Sequence, residues 1–384
     1  MSDKEEKRPA AAAKSPAGLE GVVAAESAIG DVDGTNGVLI YQGVNIHELA
    51  EHSNFEETVY LLWHGSLPRR AELEEFRGAL SEGMAVPEEV LDLLRRFPRG
   101  AEPMDALRTA VSALGFYDEG ARDLSREGAL RTATKLTAQL PVLVAAFARL
   151  REGEEPLAPK AGLSIASNFL YMLNGREPSE RDARIFDVCL VLHADHELNA
   201  STFTSRVIAG TLADMYGAVT GAVAALSGPL HGGANTNVMK MLLEIGEPER
   251  AGEWLSDALA SKKKIMGFGH RVYKAEDPRS TWLRKFSREV GEERGETRWF
   301  TILEVLRDQM FAAKGLYPNV DYYSGSVYHL MGIPLDLFTP IFAVSRVAGW
   351  TGHVLEQYSN NRLIRPRAEY VGPRDVPYTP IDER

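Results

Sequence analysis

Apolar residues recur along most of this chain at the three- and four-residue spacing of a helix with one buried face. Phe55, Val59 and Leu62 follow that spacing, as do Leu107, Val111 and Leu114, and again Ile302, Leu306 and Met310. Ser53-x-x-Glu56 at the first of these runs reads as a capping box and predicts a helix start. The opening is different. Between positions 21 and 43, glycines and the pair Asp33-Gly34 punctuate short apolar runs such as Val38-Leu39-Ile40-Tyr41, which predicts one small β-hairpin or two. Phe97-Pro98-Arg99-Gly100 and residues 152–159 read as loops, and no further strand series follows. The pattern predicts a mainly α fold with a small N-terminal hairpin.

With 384 residues the chain can build one large core or two unequal domains. The best hinge candidates are the glycine-rich loop at 228–233 and the corner Met331-Gly332-Ile333-Pro334. Residues 1–18 mix acids, lysines, alanines and proline without an apolar face, so they read as a disordered tail. No apolar stretch follows their basic positions as a secretory signal needs, and Asp3, Glu5 and Glu6 argue against a mitochondrial presequence. The single cysteine, Cys189, lies in the apolar run Val188-Cys189-Leu190-Val191 and reads as a small core residue. A reducing, cytoplasmic setting is the expectation. Residues 215–239 carry no charged side chain and are long enough to span a bilayer, but their glycines, proline, histidine and asparagines predict a buried helix–loop–helix instead.

Net charge is −11, which disfavours nucleic acid and anionic membranes as partners of the whole surface. The sign is locally reversed. Residues 262–285 hold eight cations (Lys262, Lys263, Lys264, Arg271, Lys274, Arg279, Arg284 and Lys285) against Glu276 and Asp277. A cationic island on an acidic chain reads either as a solvated helix face or as a seat for a specific anion.

Four segments of the C-terminal half could carry chemistry. They are Val191-Leu192-His193-Ala194-Asp195-His196-Glu197, GPLHGGAN at 228–235, GFGHRVYK at 267–274 with Asp277-Pro278-Arg279 behind it, and NVDYYSG at 319–325. His193 and His196 could begin a metal site, but the helical His-Glu-x-x-His pairing is absent. Gly267-x-Gly269 lacks the third glycine and the preceding strand of a dinucleotide fingerprint, and no Walker loop or Gly-x-Ser-x-Gly elbow is present. Histidines set among glycines are better explained by close approach of backbone and ligand.

Taken together, GPLHGGAN, GFGHRVYK with its Asp-Pro-Arg, and NVDYYSG resemble the citrate synthase family, in order and in separation. The resemblance runs from about Gly18 to the Arg365-Pro366-Arg367-Ala368-Glu369-Tyr370 segment and is closest to the short bacterial and archaeal dimeric type. It implies a two-domain all-helical fold: a large domain of residues 19–232 plus 333–384 and a small one of 233–332. It implies Asp321 as the base that takes the acetyl methyl proton, His231 as donor to the thioester oxygen, and His270 as donor to the keto oxygen of oxaloacetate. His196, Arg279, Arg346 and Arg365 are the implied substrate contacts, with Arg365 reaching into the neighbouring subunit of a homodimer. Lys264, Ile265, Gly267, Arg271, Lys274 and Lys314 are the implied contacts of coenzyme A, which enters as acetyl-coenzyme A, a co-substrate. His193 would be a structural partner. No metal and no tightly bound cofactor are expected.

Three other readings share parts of the pattern. A 2-methylcitrate synthase using propionyl-coenzyme A would carry the same motifs, since one methylene in an apolar pocket discriminates by only about 1–3 kcal/mol. A non-catalytic acyl-coenzyme A-binding paralogue would lack Asp321, His231 or His270, and all three are present. A metal-dependent hydrolase would build on His193 and His196.

Overall fold

The computed structural model describes residues 17–19 and 21–384. The expected disordered tail, 1–18, lies outside the described residues except for Ala17 and Gly18, which open a single 3-10 turn, Ala17–Leu19.

The hairpin forms as expected, with a third short strand added. Strands β1 (Gly30–Asp33), β2 (Val38–Tyr41) and β3 (Val44–Asn45) make an antiparallel sheet in that order, with Asp33 opposite Val38 at the turn. Alternation along β2 sends Leu39 and Tyr41 into the core. The Asp33 carboxylate closes the turn by accepting from the N–H groups of Thr35 and Asn36, each at 3.0 Å.

Among the described residues sixteen α-helices follow, and their starts are mostly set by short polar side chains. The first six are α1 (Ile46–His52), α2 (Phe55–His64), α3 (Arg70–Gly83), α4 (Glu88–Arg95), α5 (Pro103–Leu114) and α6 (Arg126–Glu152). Next come α7 (Ile165–Asn174), α8 (Glu180–His193), α9 (Ala200–Ala209) and α10 (Met215–Leu226). Then follow α11 (Ala234–Ile245), α12 (Ala251–Ala260), α13 (Pro278–Arg294), α14 (Arg298–Lys314), α15 (Val320–Leu330) and α16 (Phe338–Ser359). Asn199, Asp214, Asp277 and Asn319 each accept a hydrogen bond from a backbone N–H in the first turn of the helix they precede.

The expected capping box at Ser53 is not formed. Asn54 caps α2, its side chain accepting from Glu57 N, while Ser53 ends α1. Glu56 is buried and reaches across to accept from Ile165 N at 2.7 Å, so it serves the start of α7. A long-range partner outcompetes the local one because α2 and α7 pack against each other.

Helix α16 runs through the interior, packed by α2, α6, α8, α9 and α10, and Trp350 at its middle is fully buried. Helices α11 to α15 pack largely on one another, and reach the rest through α1, α8 and α16. Residues 215–239 form α10, a turn and the start of α11, as expected. Among the described residues no helix is long and apolar enough to cross a membrane. Cys189 is a buried free thiol, raised above its ordinary pKa by burial.

The hairpin has a positional role. Lys274 N donates to Gly34 O at 2.7 Å, so the β1–β2 turn rests on the backbone of residues 272–275. A Cβ on Gly34 would lie 2.2 Å from Val272 O, closer than any side chain tolerates. Gly34→Ala therefore costs about 1–3 kcal/mol of stability, as overpacking does. Urea denaturation checks this; an unchanged midpoint and slope would mean that the turn does not bear on the loop.

Candidate active site

Two of the motifs hold each other. Gly269 N donates to Tyr317 O at 3.0 Å, Asn319 N donates to Gly267 O at 2.9 Å, and Asn319 Nδ2 donates to Gly269 O at 3.0 Å. Gly267 and Gly269 adopt left-handed φ values of 81° and 77°. A Cβ on Gly267 would sit 2.6 Å from the Tyr322 ring, so only glycine fits there. Asn319 also caps α15, accepting from Asp321 N at 3.0 Å. One asparagine thus fixes the loop bearing His270 and the helix turn bearing Asp321.

His270 sits at the turn that follows. Its Nδ1 accepts from the N–H groups of Val272 (3.0 Å) and Tyr273 (3.2 Å). A backbone N–H can only donate, so the ring proton is on Nε2. Burial, reinforced by the Arg279 charge, lowers the His270 pKa to about 4, and the ring is neutral at pH 7.

His231 lies in the turn between α10 and α11. The helix N-terminus that matters to it is not the one that follows in sequence. Its Nε2 accepts from Ser201 N at 3.2 Å, an unpaired first-turn N–H of α9. Ser201 Oγ lies 2.8 Å from the same nitrogen, accepts from Trp350 Nε1 at 3.0 Å, and meets Asn199 Oδ1 at 2.8 Å. The backbone donor leaves the proton on Nδ1. Burial, helped by Arg346, lowers the His231 pKa to about 4. Both histidines are therefore neutral donors, each with its tautomer set by backbone.

Asp321 stands in the first turn of α15. Burial pushes its pKa up to about 6, against the opposing charges of Arg279 and Arg346. It remains mostly ionised at neutral pH, and is a stronger base than an exposed carboxylate.

The two expected guanidinium clamps differ. Arg279 is buried and donates from Nε and Nη2 to the two oxygens of Asp277, at 2.9 and 2.7 Å. Arg346 on α16 is equally buried but has no carboxylate within 4 Å among the described residues. Its Nε donates to His193 O at 2.6 Å, and its guanidinium lies 4.6 Å from the centre of the Phe342 ring. Burial lowers its pKa to about 10.

His196 joins this group. Its ring centroid is 5.1 Å from that of His270, and its Nε2 is 3.3 Å from Tyr273 Oη. Its pKa is lowered by burial and then by the Arg279 charge. His193 donates from Nδ1 to Cys189 O at 2.7 Å and packs on Phe342, a structural position. Among the described residues no three His, Cys, Asp or Glu side chains are grouped to hold a metal ion.

Of the remaining expected residues, Lys274 borders this centre and Arg365 lines another cavity. Arg365 is exposed on the C-terminal stretch and lines a different cavity, of about 760 Å³, with Phe203, Arg206 and Leu363. Lys274 lines a cavity of about 190 Å³ with His270, Tyr317 and Pro318. Lys264, Arg271 and Lys314 are exposed, and Ile265 is buried under the loop. The cationic island divides. Lys263, Arg279 and Arg284 are paired with Glu244, Asp277 and Glu304, whereas Lys264, Arg271 and Lys274 have no carboxylate within 4 Å among the described residues. Ser201 and Trp350 were not singled out by sequence, and Asn319 and Tyr273 stood there only as members of the quoted motifs. Only Asn319 carried a readable signal, as a cap candidate ahead of an apolar helix.

A mainly helical scaffold that carries a carboxylate of raised pKa, two neutral histidines and two buried arginines is of the kind found in enzymes. The citrate synthase model (Citrate synthase, C-terminal domain) matches residues 18–367, and the chain belongs to the citrate synthase family. It is 51% identical to citrate synthase 2 of Bacillus subtilis, over 96% of this chain and 98% of that one. Identity is 50% to the citrate synthase of Haloferax volcanii, over 96% and 98% of the two chains. A 2-methylcitrate synthase of Corynebacterium glutamicum is 42% identical, over 96% and 97%. Among solved structures, the ternary complex of Thermoplasma acidophilum citrate synthase with carboxymethyl coenzyme A and oxaloacetate superposes with a TM-score of 0.91. It is 34% identical and covers 96% of this chain and 98% of that one.

Proposed function

We propose that this enzyme condenses acetyl-coenzyme A with oxaloacetate and water to give citrate and coenzyme A. The observation that carries the reading is the mutual electrostatic influence of Asp321, His270, His196 and Arg346: His196 and Arg346 are buried, Asp321 and His270 half-buried, and neither histidine is charged. The weakly acidic methyl of the thioester needs a base and needs its enolate stabilised. Asp321 takes the proton. Nδ1–H of His231 donates to the thioester oxygen, as a neutral imidazole suited to an enolate. The nucleophilic carbon then attacks the keto carbon of oxaloacetate, and Nε2–H of His270 supplies the proton to the developing alkoxide. Hydrolysis of the citryl thioester releases the thiol.

Arg279 and Arg346 hold the oxaloacetate carboxylates, and His196 meets its polar groups. Arg346 is the stronger candidate, because among the described residues no carboxylate lies within 4 Å of it. Lys264, Arg271, Lys274 and Lys314, with backbone around Ile265 and Gly267, receive coenzyme A, and Lys274 adjoins His270 across a shared cavity. The exposed guanidinium of Arg365 completes the site of a second subunit in a homodimer. Closure of residues 233–332 on the remainder excludes water while the enolate exists. The mutual packing of α11 to α15 and the left-handed glycines Gly233 and Gly332 at the two connections support that division. Propionyl-coenzyme A is the second reading, favoured by the 42% identity to a 2-methylcitrate synthase.

Thiol release with oxaloacetate and either acetyl- or propionyl-coenzyme A tests the assignment. The expected result is a preference for acetyl and, in Asp321→Ala, a loss of about 10²–10⁴ in kcat/KM. A propionyl preference would move the substrate and keep the mechanism; full activity in Asp321→Ala would refute the base. The base acts ionised, so kcat/KM is full above its pKa and falls by about tenfold per pH unit below it. The acidic limb should therefore lie near pH 6, where Asp321 titrates, with His231 and His270 still neutral. A pH–rate profile flat down to pH 5 would contradict this.

A further inference from the structure

Behind His196 lies a buried polar chain that the mechanism above does not use. Asp195 is fully buried in the turn after α8. Its Oδ2 accepts from Glu197 N at 3.0 Å. Glu197 has a left-handed φ of 53°, a strained conformation for a residue with a Cβ. The turn that presents His196 is thus held in a strained bend, by the Asp195 carboxylate from inside and by Asn199 Nδ2, which donates to His196 O and Glu197 O at 3.3 Å each. Two glycines let the backbone crowd that carboxylate. A Cβ on Gly349 would lie 2.5 Å from Asp195 Oδ1, and one on Gly30 2.8 Å from Oδ2.

The other carboxylate oxygen faces His353, itself fully buried on α16. Asp195 Oδ1 and His353 Nε2 are 3.2 Å apart. The approach is off the ideal line for a hydrogen bond, and among the described residues neither atom has another hydrogen-bond partner. On the far side of the ring, His353 Nδ1 lies 3.3 Å from Arg206 Nη1. Arginine only donates, so Nδ1 accepts and the proton on Nε2 faces Asp195. Arg206 is in turn fixed by Gln357 Oε1 at 3.0 Å and by the Glu356 carboxylate.

We propose that His353 is a positioning residue for oxaloacetate: bridging Arg206 and Asp195, it holds the strained turn at Glu197 that aims His196 into the site. The proposal rests on the reading that His196 meets the substrate. The bridge needs one acceptor and one donor at opposite ends of a side chain of imidazole length. Glutamine carries both on its terminal amide, at about the reach of the imidazole ring. Asparagine is one methylene too short to reach both neighbours, and leucine supplies neither.

Steady-state kinetics of His353→Gln, His353→Asn and His353→Leu test it, with His196→Ala beside them. In the Asn and Leu variants KM for oxaloacetate should rise by about tenfold while KM for acetyl-coenzyme A stays within about twofold, the split expected of a lost positioning contact. The Gln variant should stay within about twofold of wild type in both. Hydrogen exchange of the amides of residues 194–199 gives a readout independent of activity, and should quicken in the Asn variant but not in the Gln variant. Equal exchange in all variants would overturn the bridge, as would parallel shifts of both KM values or a Gln variant no better than Asn. An unchanged oxaloacetate KM in His196→Ala would overturn the role given to His196, and the exchange result would still decide whether His353 holds the turn.

Discussion

A buried guanidinium with no carboxylate paired to it is costly, and among the described residues this fold keeps one near its centre. Arg346 sits on the interior helix α16, held by a single carbonyl and the face of Phe342, with its terminal nitrogens unpaired by any carboxylate. Such a charge loses its hydration without recovering the energy from a partner. Elsewhere the fold does pair its buried arginines: Arg279 grips Asp277 with two bonds, and Arg206 lies between Glu356 and Gln357. The exception at Arg346 is what an anion-binding centre requires, since an incoming carboxylate would supply the missing partner. The neighbouring groups respond to the same field. The Arg346 charge helps keep His231 neutral and draws the Asp321 pKa down from where burial alone would leave it.

Around that charge, backbone amides set the tautomers of both candidate histidines, and a side-chain cap sets the turn bearing Asp321. His231 is set by an amide of α9, His270 by two amides of its own turn, and Asp321 by the Asn319 cap. Backbone donors have one role only, so each tautomer is fixed without depending on a second titrating group. The N-terminal hairpin adds to this order by resting its turn on residues 272–275, directly after His270. The small sheet therefore supports the site although it contributes no functional side chain.

Much of this was legible in the sequence for a physical reason. Helical periodicity in 302–310 and 107–114 survives because those faces pack on one core, and the Asp33-Gly34 turn is local chemistry. The histidines stood out because the glycines around them are local as well, and Asp321 stood out through the resemblance of its motif. What sequence missed is non-local. Glu56 looked like the end of a capping box, but its partner is Ile165 N, more than a hundred residues away. Ser201 and Trp350 converge on His231 from α9 and α16, and no spacing rule links them. The helix terminus bearing on His231 belongs to α9, which packs beside it in space, whereas α11 is the helix that follows it in sequence.

The central claim is that the Arg346 charge is kept uncompensated for a dicarboxylate. Thermal unfolding of wild type and Arg346→Met, each with and without oxaloacetate, tests it most directly. The claim predicts that the variant, relieved of an unpaired buried charge, unfolds at a temperature equal to or above that of the unliganded wild type. It also predicts that oxaloacetate, which raises the wild-type Tm by mass action, leaves the variant's Tm unmoved. A variant that is less stable than wild type yet keeps the full oxaloacetate shift would contradict it, and would make Arg346 a structural residue.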